Sequence, residues 1–118
     1  MIVFVYGSLK KGKKLHFYLK KAKFLGKATT CDKYPMIISK SGWYPYLIDK
    51  KGIGYKIKGE VYKVSPTLLK ILDRIEEVPF YYYRKQIPVC LNRKTIKAWV
   101  YFVKKKPKFN KKSLIEEF

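Results

Sequence analysis

Between Phe24 and Val64 the chain is broken at Gly26, Pro35, Gly42, Pro45, Gly52 and Gly54, with only short runs such as MIIS, YPYLI and IKGEVYKV between the breaks. Glycine and proline at that density leave no room for a helix of ordinary length. The runs are rich in β-branched and aromatic residues, so the stretch reads as several short, mostly antiparallel strands. The flanks agree. Met1 to Tyr6 reads as a buried strand stopped by a Gly7-Ser8 turn, and Tyr81–Leu91 and Thr95–Val103 read as a hairpin around Asn92-Arg93-Lys94. Two segments carry a helical period. Leu15, Tyr18, Leu19 and Ala22 predict a short amphipathic helix from about Lys14 to Lys23. Ser65-Pro66 supplies a cap and a first-turn proline for a second helix, running to about Glu76 and stopped by Pro79. Two helices among six or so strands give an α+β fold, its sheet curled toward a barrel.

The 118 residues, 47% hydrophobic and 17% aromatic, suffice for one core and are too few for two. One domain over residues 1–118 is expected, with residues 104–118 as a basic, peripheral tail. No apolar run approaches a membrane span, and the N-terminus has neither a basic n-region nor a cleavage site, which predicts a cytoplasmic protein with no membrane partner. Cys31 and Cys90 show no CxxC spacing and have only His16 for company. They read as small buried apolar side chains rather than a zinc site or a disulfide. The net charge of +20 invites a nucleic-acid or other polyanion partner. Against that partner, only Arg74, Arg84 and Arg93 among the 28 basic residues are arginine, the side chain suited to forked phosphate and guanine contacts. The scarcity of Gln and Asn is the bias of proteins from hot surroundings, a thermophilic composition without the matching glutamate enrichment.

Phosphate-loop, dinucleotide-loop, zinc-protease and cysteine-cluster patterns are all missing, so no cofactor and no metal is expected. His16, with no acidic residue near it in sequence, makes a poor centre for a Ser-His-Asp arrangement. The acidic residues are Asp32, Asp49, Glu60, Asp73, Glu76, Glu77, Glu116 and Glu117, so any carboxylate catalyst is one of eight. On the second helix, with Leu69 at zero and about 100° per residue, Leu72 falls at roughly −60°, Leu68 at −100°, Ile75 at −120° and Glu76 at −20°. Glu76 therefore sits inside the apolar stripe, while Lys70, Arg74 and Glu77 point away. Two readings stay open: a desolvated carboxylate with a raised pKa, suited to proton transfer, or a structural residue that sits in the last turn, frays outward, or makes a partly buried pair with Arg84 or a lysine. Glu60, alternating with apolar neighbours in GEVY, reads as outward-facing or barrel-interior and structural. The loop Lys10 to Lys14 reads as solvated.

Three local patterns occur together in order: VYGSLKKG (Val5 to Gly12), GEVY (Gly59 to Tyr62) and LDRIEEVPFYYYR (Leu72 to Arg84). In this order and spacing the chain resembles the gamma-glutamylcyclotransferase-like family, and the last stretch fits the LDxxExxPxxYxR pattern of its gamma-glutamylamine cyclotransferase branch. YPMII (Tyr34 to Ile38) and AWVYFV (Ala98 to Val103) extend the similarity over most of Ile2 to Val103. The resemblance implies a small mixed β-barrel with short flanking helices. It also implies a cofactor-independent intramolecular acyl transfer, in which a gamma-glutamyl amine or amide cyclises to 5-oxoproline and frees the amine. By the same resemblance Glu76 is the proton shuttle, and Tyr6, Gly7, Ser8 and Leu9 bind the gamma-glutamyl part. Tyr82 and Tyr101 are further candidate substrate contacts. Glu77 departs from the family, where glycine is common at that position. The competing classes are a basic nucleic-acid-binding protein and a catalytically silent relative that holds small anions in the YGSL turn.

Overall fold

In the computed structural model, which describes residues 1–118, seven strands and one α-helix follow in order. The strands are β1 (Ile2–Val5), β2 (Lys23–Tyr34), β3 (Met36–Ile38), β4 (Pro45–Leu47), β5 (Tyr55–Lys63), β6 (Tyr82–Leu91) and β7 (Lys94–Val103), and α1 (Pro66–Ile75) lies between β5 and β6. Five strands close a barrel in the order β1, β5, β2, β6, β7, while β3 and β4 pair with each other outside it. Closure comes from a parallel contact of β7 with β1 at Val3 and Trp99. A barrel has no free sheet edge, which suits a chain this rich in strand formers.

Alternation along each strand makes two cores. Phe4, Ile57, Val61, Val89, Val100 and Phe102 fill the barrel. Val3, Val5, Tyr62 and Tyr101 face outward, and α1 covers them with Leu69 and Leu72. The helix starts where Ser65 Oγ accepts the Leu68 N–H at 3.1 Å, with Pro66 in its first turn. Leu72 is wholly buried, so truncating it to alanine costs about 2–5 kcal/mol. Gly59 lets β5 lie against the Phe4 ring, since a Cβ there would stand 2.6 Å from Phe4 Cζ.

Several expectations need correction. The helix expected over Lys14–Lys23 is a single 3₁₀ turn, His16–Leu19, and the chain is already in β2 at Lys23. No side chain caps that turn and only Leu19 is buried, too little to offset helix nucleation. The Phe24–Val64 stretch is built mainly from two long strands, not several short ones. Gly26 does not end a strand but marks a register shift in β2 against β5, and a second shift lies between Thr29 and Lys33. In the hairpin Asn92 and Arg93 take φ values of 49° and 65°, the signature of a tight two-residue connection. Lys10 is buried rather than solvated, its Nζ donating to the Phe118 main-chain oxygen at 2.6 Å. The tail divides: residues 104–113 are mostly exposed, whereas Ile115 N–H donates to Met36 O at 2.9 Å, and Ile115 and Phe118 pack on the barrel core. No helix is long and apolar enough to cross a membrane.

Candidate active site

Where β1 ends, the chain enters a tight loop that its own backbone fixes. Lys10 N–H donates to Gly7 O at 3.0 Å, and Leu15 N–H donates to Ser8 O at 2.8 Å. Glu60, buried on β5, holds the same loop from behind, accepting the Lys11 N–H at 2.9 Å and the Tyr62 hydroxyl at 3.1 Å. That carboxylate is structural and does not reach the cavity described below. At Gly7 a Cβ would lie 2.9 Å from both Cγ and Cδ of Pro45, so only glycine lets the loop pass under β4. The N–H groups of Gly7, Ser8 and Leu9 donate to no main-chain acceptor within the protein. Three consecutive amides without partners are a fitting cradle for an anion or a carbonyl oxygen.

Facing this loop, α1 ends at Glu76, whose N–H donates to Leu72 O at 2.9 Å. The side chain of Glu76 takes part in no ion pair. Arg84, the partner in the structural reading of Glu76, belongs instead to Asp73: its Nε donates to Asp73 Oδ1 at 2.8 Å. Tyr101 donates its hydroxyl to the same oxygen at 2.7 Å. Burial, and secondly the charge of Glu77, push the Glu76 carboxyl up to about 7. A carboxyl that exchanges its proton near neutrality suits a group that must both accept and return one.

Glu76 and the loop share one cavity of about 960 Å³, near the upper end of the roughly 300–1,000 Å³ typical of small-molecule sites. All seven residues selected from the sequence line it: Tyr6, Gly7, Ser8, Leu9, Glu76, Tyr82 and Tyr101. Burial first, and then charges including that of Glu76, raise the phenols of Tyr6, Tyr82 and Tyr101. They stay protonated at neutral pH and can only act as hydroxyls. Tyr6 donates to Tyr101 O at 2.6 Å, and Tyr82 reaches Pro45 O at 3.4 Å. With the Tyr101 hydroxyl held by Asp73, that residue offers the cavity its ring.

The sequence reading missed part of the wall. Tyr44, Pro45 and Tyr46 form one side, and Phe80, Tyr81, Lys105, Lys106 and Lys108 form the rim. The aromatic density of YPYLI was visible but gave only a strand. Nothing in the order of residues places these lysines on the same cavity as Glu76.

Comparisons with known proteins place the chain in a family. The family described as gamma-glutamyl cyclotransferase, AIG2-like, matches residues 3–117. A Methanocaldococcus jannaschii protein with a provisional gamma-glutamylcyclotransferase name is 45% identical over 102 residues, covering 85% of this chain and 82% of that protein. Gamma-glutamylaminecyclotransferase A of Danio rerio is 37% identical over 107 residues, covering 84% of this chain and 66% of that one. The crystal structure of an AIG2-like protein from Mus musculus superposes with a TM-score of 0.85 at 26% identity, covering 99% of this chain and 86% of that one. The chain belongs to the gamma-glutamyl cyclotransferase, AIG2-like family and is an enzyme of the gamma-glutamylcyclotransferase type.

Proposed function

We propose that the chain converts a gamma-glutamyl amine or amide to 5-oxoproline and the free amine, with Glu76 carrying the proton. The observation that supports this most is an unpaired carboxylate, pushed up to about 7, in the same cavity as three amides without main-chain acceptors. The substrate's α-ammonium gives a proton to the Glu76 carboxylate, and the freed amine attacks the gamma-carbonyl carbon of the same molecule. A ring C–N bond forms and a tetrahedral oxyanion results. As that oxyanion collapses, Glu76 returns the proton to the leaving nitrogen and the second C–N bond breaks, while the ring nitrogen, left with one proton too many by the attack, gives it up through the same carboxylate to the released amine, which departs as the ammonium. No water is consumed, and the atoms of the substrate equal those of the two products.

The protein's main task is to hold the glutamyl chain curled, since a well-oriented intramolecular attack has a very large effective concentration. The Gly7-Ser8-Leu9 amides are assigned to the substrate carboxylate or the oxyanion, and the rings of Tyr6, Tyr82 and Tyr101 to excluding water around it. The cavity beyond this loop is assigned to the departing amine. Incubation of purified protein with gamma-glutamyl-lysine and assay for 5-oxoproline tests the reading: product is expected from the wild type, with a collapse in Glu76→Gln. If no gamma-glutamyl compound is turned over, the proposal fails.

A further inference from the structure

We propose that Cys31 and Cys90 form a dithiol site that oxidises to an intramolecular disulfide joining β2 to β6. Far apart in sequence, the two thiols meet in the fold, with their Sγ atoms 2.6 Å apart. That separation is only about half an ångström longer than a disulfide bond of ~2.05 Å, so the two sulfurs already stand where a bond between them would be made. Both side chains are half-buried rather than sealed in the core, which corrects the sequence expectation for them. Thr30, wholly buried, points into the barrel, and so Cys31 beside it points out. Cys90 stands opposite Thr29, two residues from Cys31 and on the same outer face.

The position lies at a thin seam. β6 and β7 stay in register from Tyr82–Val103 to Leu91–Lys94, but β2 and β6 register only at Thr29–Cys90 and Thr30–Val89. Over this part β2 has also parted from β5 between Thr29 and Lys33, where the Ile57 N–H turns to Thr30 Oγ1 at 2.8 Å. A covalent link here fastens one of the two short ladders of the barrel, the other being the β7–β1 closure. It closes a loop spanning 59 positions, which restricts the unfolded chain more than the native one. Neither cysteine lines the Glu76 cavity, so this site stands independently of the proposed reaction.

The oxidant is a low-molecular-weight disulfide. One cysteine, as its thiolate, attacks a sulfur of that disulfide, forming a mixed disulfide and expelling one small thiolate. The second cysteine, deprotonated, attacks the protein-bound sulfur and expels the other. Two cysteine thiols are oxidised, one small disulfide is reduced to two thiols, and the cysteine protons end on those thiols. Burial, followed by the Cys90 hydrogen bond, raises the Cys31 thiol, so the reaction runs faster in mildly alkaline solution.

The test is to expose reduced, folded protein to oxidised glutathione, quench in acid, denature, add maleimide and record the intact mass. The wild type is expected to weigh two hydrogen atoms less than the reduced chain and to take up no maleimide. Cys31→Ala and Cys90→Ala, each with one thiol, are expected to end as glutathione adducts or to take up one maleimide. The oxidised wild type is expected to melt on the order of 10 °C above the reduced form, a shift absent from both variants. Two maleimides on the wild type, a persistent glutathione adduct, a disulfide-linked dimer, or a cross-link without a rise in melting temperature overturns the proposal.

Discussion

Asp73 and Glu76 lie three residues apart at the same end of α1, and their surroundings are opposite. Asp73 is partnered: Arg84 and Tyr101 both donate to its Oδ1, which ties the helix to β6 and β7. Glu76 has no ionic partner, and burial pushes it up to about 7. A carboxylate engaged by two donors fixes geometry, whereas one without partners is left for a ligand. Arg84, the cation weighed in the sequence as a partner for Glu76, is taken by Asp73, and Glu76 keeps its carboxylate without an ionic partner.

Exchanging the side chains one at a time separates these roles. The largest effect is expected in turnover. Glu76→Gln lowers kcat by about 10²–10⁴-fold while binding of 5-oxoproline, followed by calorimetry, persists. A variant that keeps full turnover removes Glu76 from the mechanism.

Next comes a stability effect of unusual sign. The native carboxyl of Glu76 titrates above its unfolded value of 4.5. The stability it contributes is complete below about pH 4.5 and is lost as pH rises through about 7, by roughly 3 kcal/mol. Glu76→Gln does not titrate, so urea unfolding should find it more stable than wild type by up to that amount at about pH 8 and no more stable at about pH 4. Asp73→Asn should move the other way, losing about 2 kcal/mol at neutral pH because Arg84 is left without its charge partner. Smaller again, Tyr101→Phe removes one donor to Asp73 and should cost about 1 kcal/mol, leaving the Arg84 contact in place. If Asp73→Asn were stabilising and Glu76→Gln destabilising at high pH, the division of roles would be reversed.

The helical phase of Leu68, Leu69, Leu72 and Ile75 was enough to turn Glu76 toward the core, because one face of α1 must cover the barrel. It could not show whether Arg84 would pair with Glu76, since that depends on the register of β6 and β7, set by long-range pairing. The ordered motifs linked Glu76 to the Gly7-Ser8 turn, and the structure places both in one cavity. The contact of Cys31 with Cys90 was invisible for the same long-range reason: it follows from barrel closure. The Lys14–Lys23 helix failed because its stripe, Leu15, Tyr18, Leu19 and Ala22, packs on the core with only Leu19 fully buried and no side chain capping the turn.

The most direct measurement is the titration of the Glu76 side-chain carboxyl by carbon-13 NMR, assigned with Glu76→Gln, beside the pH dependence of kcat/KM for 5-oxoproline formation. A carboxyl midpoint near 7 that coincides with the acidic limb of the rate profile is the expected result. A midpoint near 4.5, or an acidic limb that survives unchanged in Glu76→Gln, would contradict the claim that this unpaired carboxylate moves the proton.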